Sequence, residues 1–230
     1  MPRSALTPDE EDRLLAACSK SRSRSLYPAA CLALYTGLRR SELLSLTWGQ
    51  VDLEKKTLTV GDSKTESGAG RLVPLNARAT TALTFWSEIF PDREPQHAVF
   101  PSERVGAGTN AFTPCYTDTE VDSPVKSIKE GWERAKRQSK VHCRWHDLRH
   151  SFCTRLLEQG VSLPKVAAIL GWSDSTTVRM AKRYGHIGED SLRKAVETLD
   201  PKPAEPKDEK QEQQQPPAPC QPEPSPTTVH

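Results

Sequence analysis

The sequence predicts a mainly α-helical domain that carries one small antiparallel β-sheet, an α+β fold. Apolar residues recur at helical spacing along most of residues 5–199. Between residues 51 and 75 this spacing gives way to the alternation typical of short strands, with glycines at the turns. Residues 201–230 contain a single large apolar side chain. Together these observations indicate a helical domain, a sheet inserted in it, and a tail that lies outside it.

The first helices are predicted from capping signals. Thr7 can cap the first helix, and Glu10, three positions later, completes a capping box. The second helix spans residues 26–35 and stops at Gly37, a residue type that favours helix ends. A third helix begins almost at once. Arg39 is therefore expected at a tight break between two helices.

The predicted sheet has three short strands, at residues 51–53, 57–60 and 71–75. Its exposed hairpin, residues 62–70, carries Lys64. Beyond the sheet, residues 91–121 are expected to form a loop, because they show neither helical nor strand spacing. The remaining helices are predicted at residues 77–90, 125–140, 144–159 and 163–170, in a stretch that reaches Tyr184, and at residues 190–199.

The composition is that of a globular protein without a membrane-spanning segment. Of the 230 residues, 35% are hydrophobic and 27% are charged. No stretch approaches the roughly 18 apolar residues of a spanning helix, and the N-terminus lacks the apolar run of a signal peptide. The six cysteines are scattered without a CxxC pair, which favours reduced thiols. We therefore expect a cytoplasmic protein with no membrane partner.

Charge and proline are unevenly distributed along the chain. Residues 201–230 hold nine of the 19 prolines and cannot bury enough apolar surface to offset their ordering entropy, so a disordered tail is predicted. The net charge is only +2, but residues 126–155 contain nine Lys or Arg against three Asp or Glu. A solvated basic helix is the usual reason for such a block, and binding of phosphates is the alternative.

The first candidate site is the segment Thr36-Gly37-Leu38-Arg39-Arg40-Ser41-Glu42-Leu43. Here a glycine break presents Arg39, and an acidic residue follows in the next helix. The planar guanidinium group of arginine can hold two phosphate oxygens at once. A surface arginine beside a helix end is the simpler interpretation of this segment on its own.

The second candidate is the segment from His142 to Cys153. His146, His150 and Cys153 fall on one helical face, so a zinc site is one hypothesis, with Cys143 as a further ligand. Four ligands so close along one helix cannot easily surround a metal tetrahedrally. The other hypothesis pairs His146 with Arg149 three positions later, which places two donors for one anion on the same face.

The third candidate begins at Leu170-Gly171-Trp172 and ends at Arg183-Tyr184-Gly185-His186. A tyrosine that follows Lys182 and Arg183 is most often a surface or packing residue of a basic helix. A functional interpretation of Tyr184 therefore depends on the other two segments.

The three segments together resemble the tyrosine recombinase, or phage integrase, family. The resemblance is carried by a T-G-L-R-x-S-E-L segment, a hairpin lysine, an H-x-L-R-H segment, an L-G-W segment and a tyrosine in an R-Y-x-H context. In this sequence the matching positions occur in the family's order and are Arg39, Lys64, His146, Arg149, Trp172 and Tyr184. Each element is weak alone, whereas dispersed elements in one order are specific.

The resemblance implies the catalytic-domain fold of that family and a role for each matched residue. Arg39 and Arg149 would stabilise charge on the phosphate, and Lys64 would protonate the departing 5′ oxygen. His146 would donate to the phosphate or assist removal of the proton from Tyr184, which attacks and forms a 3′-phosphotyrosine. Trp172 stands where many members have histidine and would support the pocket. No metal and no other cofactor, including ATP, is implied.

The resemblance also implies a domain organisation and partners. Residues 1–200 would form the catalytic domain and 201–230 the tail, and the usual N-terminal core-binding domain is expected to be absent, so that DNA binding would be weak. The implied partner is double-stranded DNA, bound by a homotetramer on paired recombination sites. Two alternatives to a site-specific recombinase stay open: a type IB topoisomerase-like enzyme that nicks and reseals one duplex, and a non-catalytic DNA-binding remnant.

Overall fold

The computed structural model of the chain describes residues 5–63, 66–103 and 119–184. Helices dominate these ranges, as the apolar spacing predicts. They are α1 (Pro8–Ser19), α2 (Leu26–Thr36), α3 (Arg40–Leu44), α4 (Ala77–Glu88), α5 (Lys129–Ser139), α6 (Trp145–Glu158), α7 (Leu163–Leu170) and α8 (Asp174–Tyr184). The predicted helix at residues 190–199 and the predicted tail lie outside the described residues.

Three strands form the predicted antiparallel sheet: β1 (Val51–Asp52), β2 (Thr57–Thr59) and β3 (Leu72–Pro74). They pair in chain order, with Leu58 opposite both Val51 and Val73. Leu58 and Val73 are buried, so one face of the small sheet packs on the core. The mainly helical fold with a small antiparallel sheet is thus confirmed.

The predicted loop at residues 91–121 is wrong in part. Strand β4 (Pro101–Glu103) pairs antiparallel with strand β5 (Thr119–Pro124), so the described residues contain a second sheet. Helix α5 consequently begins at Lys129 rather than at residue 125. The short β4 pairs with a partner across a long connection, and local alternation over three residues gives too little signal to predict such a pairing.

Helix α2 forms the centre of the core. Nearly all of its residues are buried, and α1, α3, α4 and α6 pack around it. This arrangement explains why its sequence, Leu26 to Thr36, is apolar on all sides rather than on one face. The core positions two helices against α2: α3, which Arg39 directly precedes, and α6, which carries His146 and Arg149.

The ends of α1 and α2 follow the predicted capping signals. The Thr7 hydroxyl accepts a hydrogen bond from the Glu10 backbone N–H, and the Glu10 carboxylate accepts one from the Thr7 N–H. Gly37 ends α2 with a positive φ of 66°. A Cβ atom at this position would lie 2.5 Å from Leu170 and 2.6 Å from Phe152, so α7 and α6 approach the α2–α3 break closely.

Four cysteines lie within the described residues, and all four are buried without a disulfide between them: Cys18, Cys31, Cys143 and Cys153. Burial raises the pKa of the Cys18 thiol to about 12 and that of Cys31 to about 11. These two thiols are therefore protonated and unreactive near neutral pH. Among the described helices, none is long and apolar enough to cross a membrane.

Candidate active site

Arg39, His146 and Arg149 converge on one pocket of about 270 Å³. Arg39 lies at the break between α2 and α3, whereas His146 and Arg149 lie on the first turns of α6. The other side chains that line the pocket are Leu38, Arg40, Arg144 and Trp145. The fold thus brings together two of the segments that the sequence singles out, more than 100 positions apart.

Arg39 is held in place by four hydrogen bonds. Its backbone N–H donates to the Glu42 carboxylate over 2.9 Å, and this hydrogen bond caps the start of helix α3. Its Nη1 donates to Glu42 Oε1 over 2.6 Å and to Ser63 Oγ over 3.1 Å, and its Nη2 donates to the Gly171 carbonyl over 3.2 Å. The side chain remains 21% exposed, so one edge of the guanidinium faces the pocket.

Arg149 is buried, with only 5% of its surface exposed. Its Nη1 donates to the Gly37 carbonyl and its Nη2 to the Leu170 carbonyl, each over 2.6 Å. Burial, followed by repulsion from Arg39, lowers the pKa of Arg149 to about 9. The guanidinium is still charged at neutral pH, so two closely held cations line the pocket.

The end of helix α7 binds three arginine side chains in succession. The carbonyl of Ile169 accepts from Arg71 Nε over 2.9 Å, that of Leu170 from Arg149, and that of Gly171 from Arg39. The last carbonyls of a helix have no partner within the helix and carry its partial negative charge. The Leu-Gly-Trp segment therefore has a structural role that its apolar character does not reveal.

Glu42 and Arg71 complete the cluster, and neither was assigned a function from the sequence. The Glu42 side chain is fully buried, and Arg71 donates to both of its oxygens, over 2.7 and 3.1 Å. Although burial opposes ionisation, hydrogen bonds from Arg71, Ser63 and Arg39 lower the pKa of Glu42 to about 2. The sequence does contain a signal for a buried ion pair. The charged Arg71 precedes apolar strand residues, and Glu42 lies next to leucines that are expected to be buried.

His146 lies at the mouth of the pocket and is exposed. Partial burial of the imidazole, followed by the positive charge of Arg149, lowers its pKa below the ordinary value of 6.5. The imidazole is therefore mainly neutral at pH 7, and one of its nitrogens can accept a proton while the other donates.

Of the three remaining predicted residues, Trp172, Tyr184 and Lys64, the structure describes the side chain of Trp172 only. Trp172 follows directly after Gly171 and packs, half-buried, against a small apolar cluster of Cys153, Val166 and Leu170. Tyr184 is the last residue of α8, and its side chain lies outside what the structure describes. Lys64 also lies outside the described residues, although the chain on both sides of it is described.

The zinc hypothesis finds no support in the described part of the chain. No group of three or more His, Cys, Asp or Glu side chains there is close enough to share a metal ion. Cys143 and Cys153 are buried in the core, whereas His146 reaches solvent. The helical spacing puts His146, His150 and Cys153 on one side of α6 but does not make them converge on a point, and Cys143 lies before the helix begins.

The family model described as "Phage integrase family" matches residues 4–189. This chain belongs to the phage integrase family. The tyrosine recombinase XerD of Caulobacter vibrioides is 32% identical over 201 residues, which cover 84% of this chain and 60% of that protein. The chain spans about half the length of the curated relatives it matches.

Solved integrase structures have the same fold. The Tn1549 transposon integrase in complex with circular intermediate DNA superposes with a TM-score of 0.62 at 24% identity, over 87% of this chain and 68% of that one. The catalytic domain of bacteriophage HP1 integrase gives 0.58 at 23% identity, over 85% of this chain and 95% of that domain. The fold inferred from the sequence resemblance, that of a tyrosine recombinase catalytic domain, is thereby confirmed.

A second and larger cavity, of about 900 Å³, lies elsewhere on this integrase-family domain. It is a mainly apolar groove between α1, α2 and α4, and Tyr27, Arg78 and Phe85 are among its lining residues. None of the predicted site residues lines it. Size alone would therefore select this larger cavity, whereas the convergence of Arg39 and Arg149 favours the smaller pocket as the candidate site.

Proposed function

We propose that this chain is the catalytic part of a site-specific DNA recombinase that cleaves and rejoins strands through a 3′-phosphotyrosyl intermediate. The observation that carries the proposal is the convergence of Arg39 and Arg149, with His146, on one small pocket. Membership of the phage integrase family supports the same reaction. The proposed catalytic residues are Arg39, Lys64, His146, Arg149, Trp172 and Tyr184.

The two arginines suit a phosphodiester. Each guanidinium has five N–H donors, and the contacts described above use only some of them. Attack on a phosphodiester adds charge to its non-bridging oxygens, so fixed donors aimed at those oxygens lower the barrier. Because Arg39 and Arg149 are held by protein carbonyls and by Glu42 before DNA arrives, they need little reorganisation during the reaction.

The proposed covalent step needs no cofactor, because protein side chains and the DNA account for every bond and proton. The Tyr184 oxygen forms a bond to phosphorus as its proton passes toward His146, and the bond from phosphorus to the 5′ oxygen breaks. Lys64 gives a proton to that oxygen, which leaves as a free 5′-hydroxyl. A 5′-hydroxyl of another strand then attacks the phosphotyrosine and reverses these transfers. The bond energy is conserved in the intermediate, so ATP is not needed.

The domain organisation and partners belong to the same proposal. Residues 1–200 are the catalytic domain and 201–230 a tail, consistent with the family match and with the near-complete coverage of the HP1 integrase catalytic domain. The partner is double-stranded DNA, bound by a homotetramer on paired sites. The place of action is the cytoplasm, where thiols such as Cys18 stay reduced.

The test is trapping of the covalent intermediate. A pool of nicked duplexes with randomised sequence, labelled on the strand that carries the scissile phosphate, is incubated with the protein and separated on a denaturing gel. The nick lies a short distance to the 3′ side of the scissile phosphate, and the label lies to its 5′ side. Cleavage therefore releases a short fragment that begins with the free 5′-hydroxyl and diffuses away, so the labelled adduct accumulates. We expect a labelled protein band with the wild type and with Tyr27→Phe, which changes a tyrosine in the distant groove, but none with Tyr184→Phe.

Each other outcome contradicts a stated part of the proposal. An adduct with Tyr184→Phe would show that another residue attacks, and an adduct on the 5′ end of the DNA would show the opposite polarity. No adduct with the wild type would favour a non-catalytic DNA-binding protein. Relaxation of a supercoiled plasmid without exchange between two duplexes would favour a topoisomerase-like activity over recombination.

A further inference from the structure

We propose that Arg71 is a positioning residue that sets Arg39 for the phosphate through Glu42 and helps to bind Ser63 and Gly68, on either side of Lys64, to the same cluster. This inference rests on the proposed function. Arg71 itself is 6% exposed at its side chain, so it lies behind the pocket rather than in it. Its effect on the reaction must therefore pass through the groups that it contacts.

The Arg71 side chain joins three separate elements. Nη2 and Nη1 donate to the two oxygens of Glu42 at the start of α3. Nη1 also donates to the Gly68 carbonyl, in the turn between β2 and β3, over 2.6 Å. Nε donates to the Ile169 carbonyl at the end of α7. No other type of side chain has donors in the planar arrangement that these contacts require.

Glu42 transmits the effect of Arg71 to Arg39. A buried carboxylate is stable only when cations and hydrogen bonds compensate for its lost hydration. Arg71 supplies two such bonds, which leaves Glu42 ionised and able to accept from both the Nη1 and the backbone N–H of Arg39. Glu42 offsets one positive charge of the cluster, and two remain among Arg39, Arg71 and Arg149 for an incoming phosphate.

The same cluster holds the chain on both sides of Lys64. Ser63, directly before it, donates from Oγ to Glu42 Oε1 over 2.7 Å and accepts from Arg39. Gly68, four positions after it, accepts from Arg71 and lies close to Gly171, where a Cβ atom would approach to 2.7 Å. Ser63 and Gly68 are thus bound to the arginine cluster through Glu42 and Arg71.

The experiment compares single-turnover cleavage by the wild type, Arg71→Gln and Arg71→Lys. We expect a loss of about 100-fold with Arg71→Gln, the scale on which small misplacements of catalytic groups act. DNA affinity should change by less than about 3-fold, because Arg71 does not reach the surface. Arg71→Lys should restore little, since an ammonium group lacks the planar set of donors. Arg78→Gln, an exposed arginine in the distant groove, is the control and should cleave normally.

A pH profile separates positioning from a loss of folding. Three cations lie around Glu42: Arg39 directly before its helix, Arg71 beside β3, and Arg149 on α6. In the wild type these keep Glu42 ionised throughout the range above pH 4.5. Without Arg71 its pKa rises, so the ratio of Arg71→Gln cleavage to wild-type cleavage should increase with pH, since titration of His146 affects both proteins. Adding Glu42→Gln to Arg71→Gln should abolish that increase.

The structure of Arg71→Gln gives a readout that does not depend on activity. We expect the distance between Arg39 Nη2 and the Gly171 carbonyl oxygen, 3.2 Å in the wild type, to exceed hydrogen-bonding range. An unchanged distance, an unchanged cleavage rate, or a rate that falls only in proportion to the folded fraction would overturn the inference. An absent wild-type adduct would instead overturn the proposed function, and the distance would still test the role of Arg71.

Discussion

At the scale of single residues, Arg149 combines two properties that seldom occur together in a side chain: burial and positive charge. Two backbone carbonyls, those of Gly37 and Leu170, accept its hydrogen bonds and partly replace its hydration. The lowered pKa of about 9 shows that the compensation is incomplete. A phosphate that enters the pocket would supply the missing negative charge, so the site is arranged to favour its ligand.

Substitution of Arg149 by lysine tests this arrangement. A lysine has no planar pair of donors for the two carbonyls. Its ordinary pKa is also lower than that of arginine, so the same burial would leave a smaller fraction of the side chain charged at neutral pH. We expect Arg149→Lys to reduce single-turnover cleavage by about 100-fold. Arg78→Lys, at an exposed position, should have no effect; equal losses in the two variants would contradict the assignment.

The lowered pKa of Glu42 predicts how the free energy of unfolding depends on pH. Its folded-state pKa of about 2 lies below its ordinary value of 4.5, so it stabilises the fold fully above pH 4.5 and loses this contribution as pH falls toward 2. The contribution is about 3 kcal/mol. We expect the difference in unfolding free energy between the wild type and Glu42→Gln to shrink across this window in urea titrations. Glu133→Gln, at a half-exposed ion pair, should show a small difference at every pH.

At the scale of elements, the site depends on where helices end. Helix α2 ends at Gly37 and helix α7 at Gly171, both with positive φ, and carbonyls at these two ends accept from Arg39 and Arg149. These carbonyls are available because the helices stop there. The two glycines therefore determine both the close approach of the helices and the positions of the arginines.

Gly37→Ala tests how closely α6 and α7 approach the end of α2, with Gly160→Ala as a matched control. Both glycines have positive φ, 66° and 78°, so alanine is strained at each. A Cβ atom at position 37 would meet Leu170 and Phe152 within about 2.6 Å, whereas one at position 160 meets nothing within 4 Å. We expect Gly37→Ala to lose at least about 2 kcal/mol more of unfolding free energy than Gly160→Ala. Equal losses in thermal or urea unfolding would show that the contact is not tight.

The sequence allows most elements to be predicted, and also the residues that the fold brings together in one pocket, Arg39, His146 and Arg149, because their signals are local. The capping box at Thr7, the stop at Gly37 and the segment around His146 are each contained in a few positions. The role of Arg71 is not local: its partners lie 29 and 98 positions away. The pairing of β4 with β5 was missed for the same reason, because strand pairing depends on contacts across the chain.

At the scale of the whole molecule, positive charge is unevenly distributed, and we propose that the basic block contributes to DNA binding. Helix α5 and the start of α6 carry most of the basic block at residues 126–155. One lysine of this block, Lys136, is paired with Glu133 over 2.8 Å, whereas Arg137 is exposed on the last turn of α5. Exposed cations of this kind release counterions from DNA when they bind phosphates.

DNA affinity should accordingly depend steeply on salt. We expect the logarithm of the association constant to fall linearly with the logarithm of salt concentration, as measured by fluorescence anisotropy on a mixed-sequence duplex. Arg137→Gln should reduce the slope by about 1, and Arg78→Gln should leave it unchanged. A slope near zero for the wild type would contradict binding through this basic block.

The central claim is that Tyr184 becomes covalently joined to a 3′-phosphate, and mass spectrometry of the trapped adduct tests it most directly. After digestion of the DNA and of the protein, we expect a nucleotide-bearing peptide in which the modified residue is Tyr184 and the link is to a 3′-phosphate. A modified residue other than Tyr184, or a link to a 5′-phosphate, would contradict it.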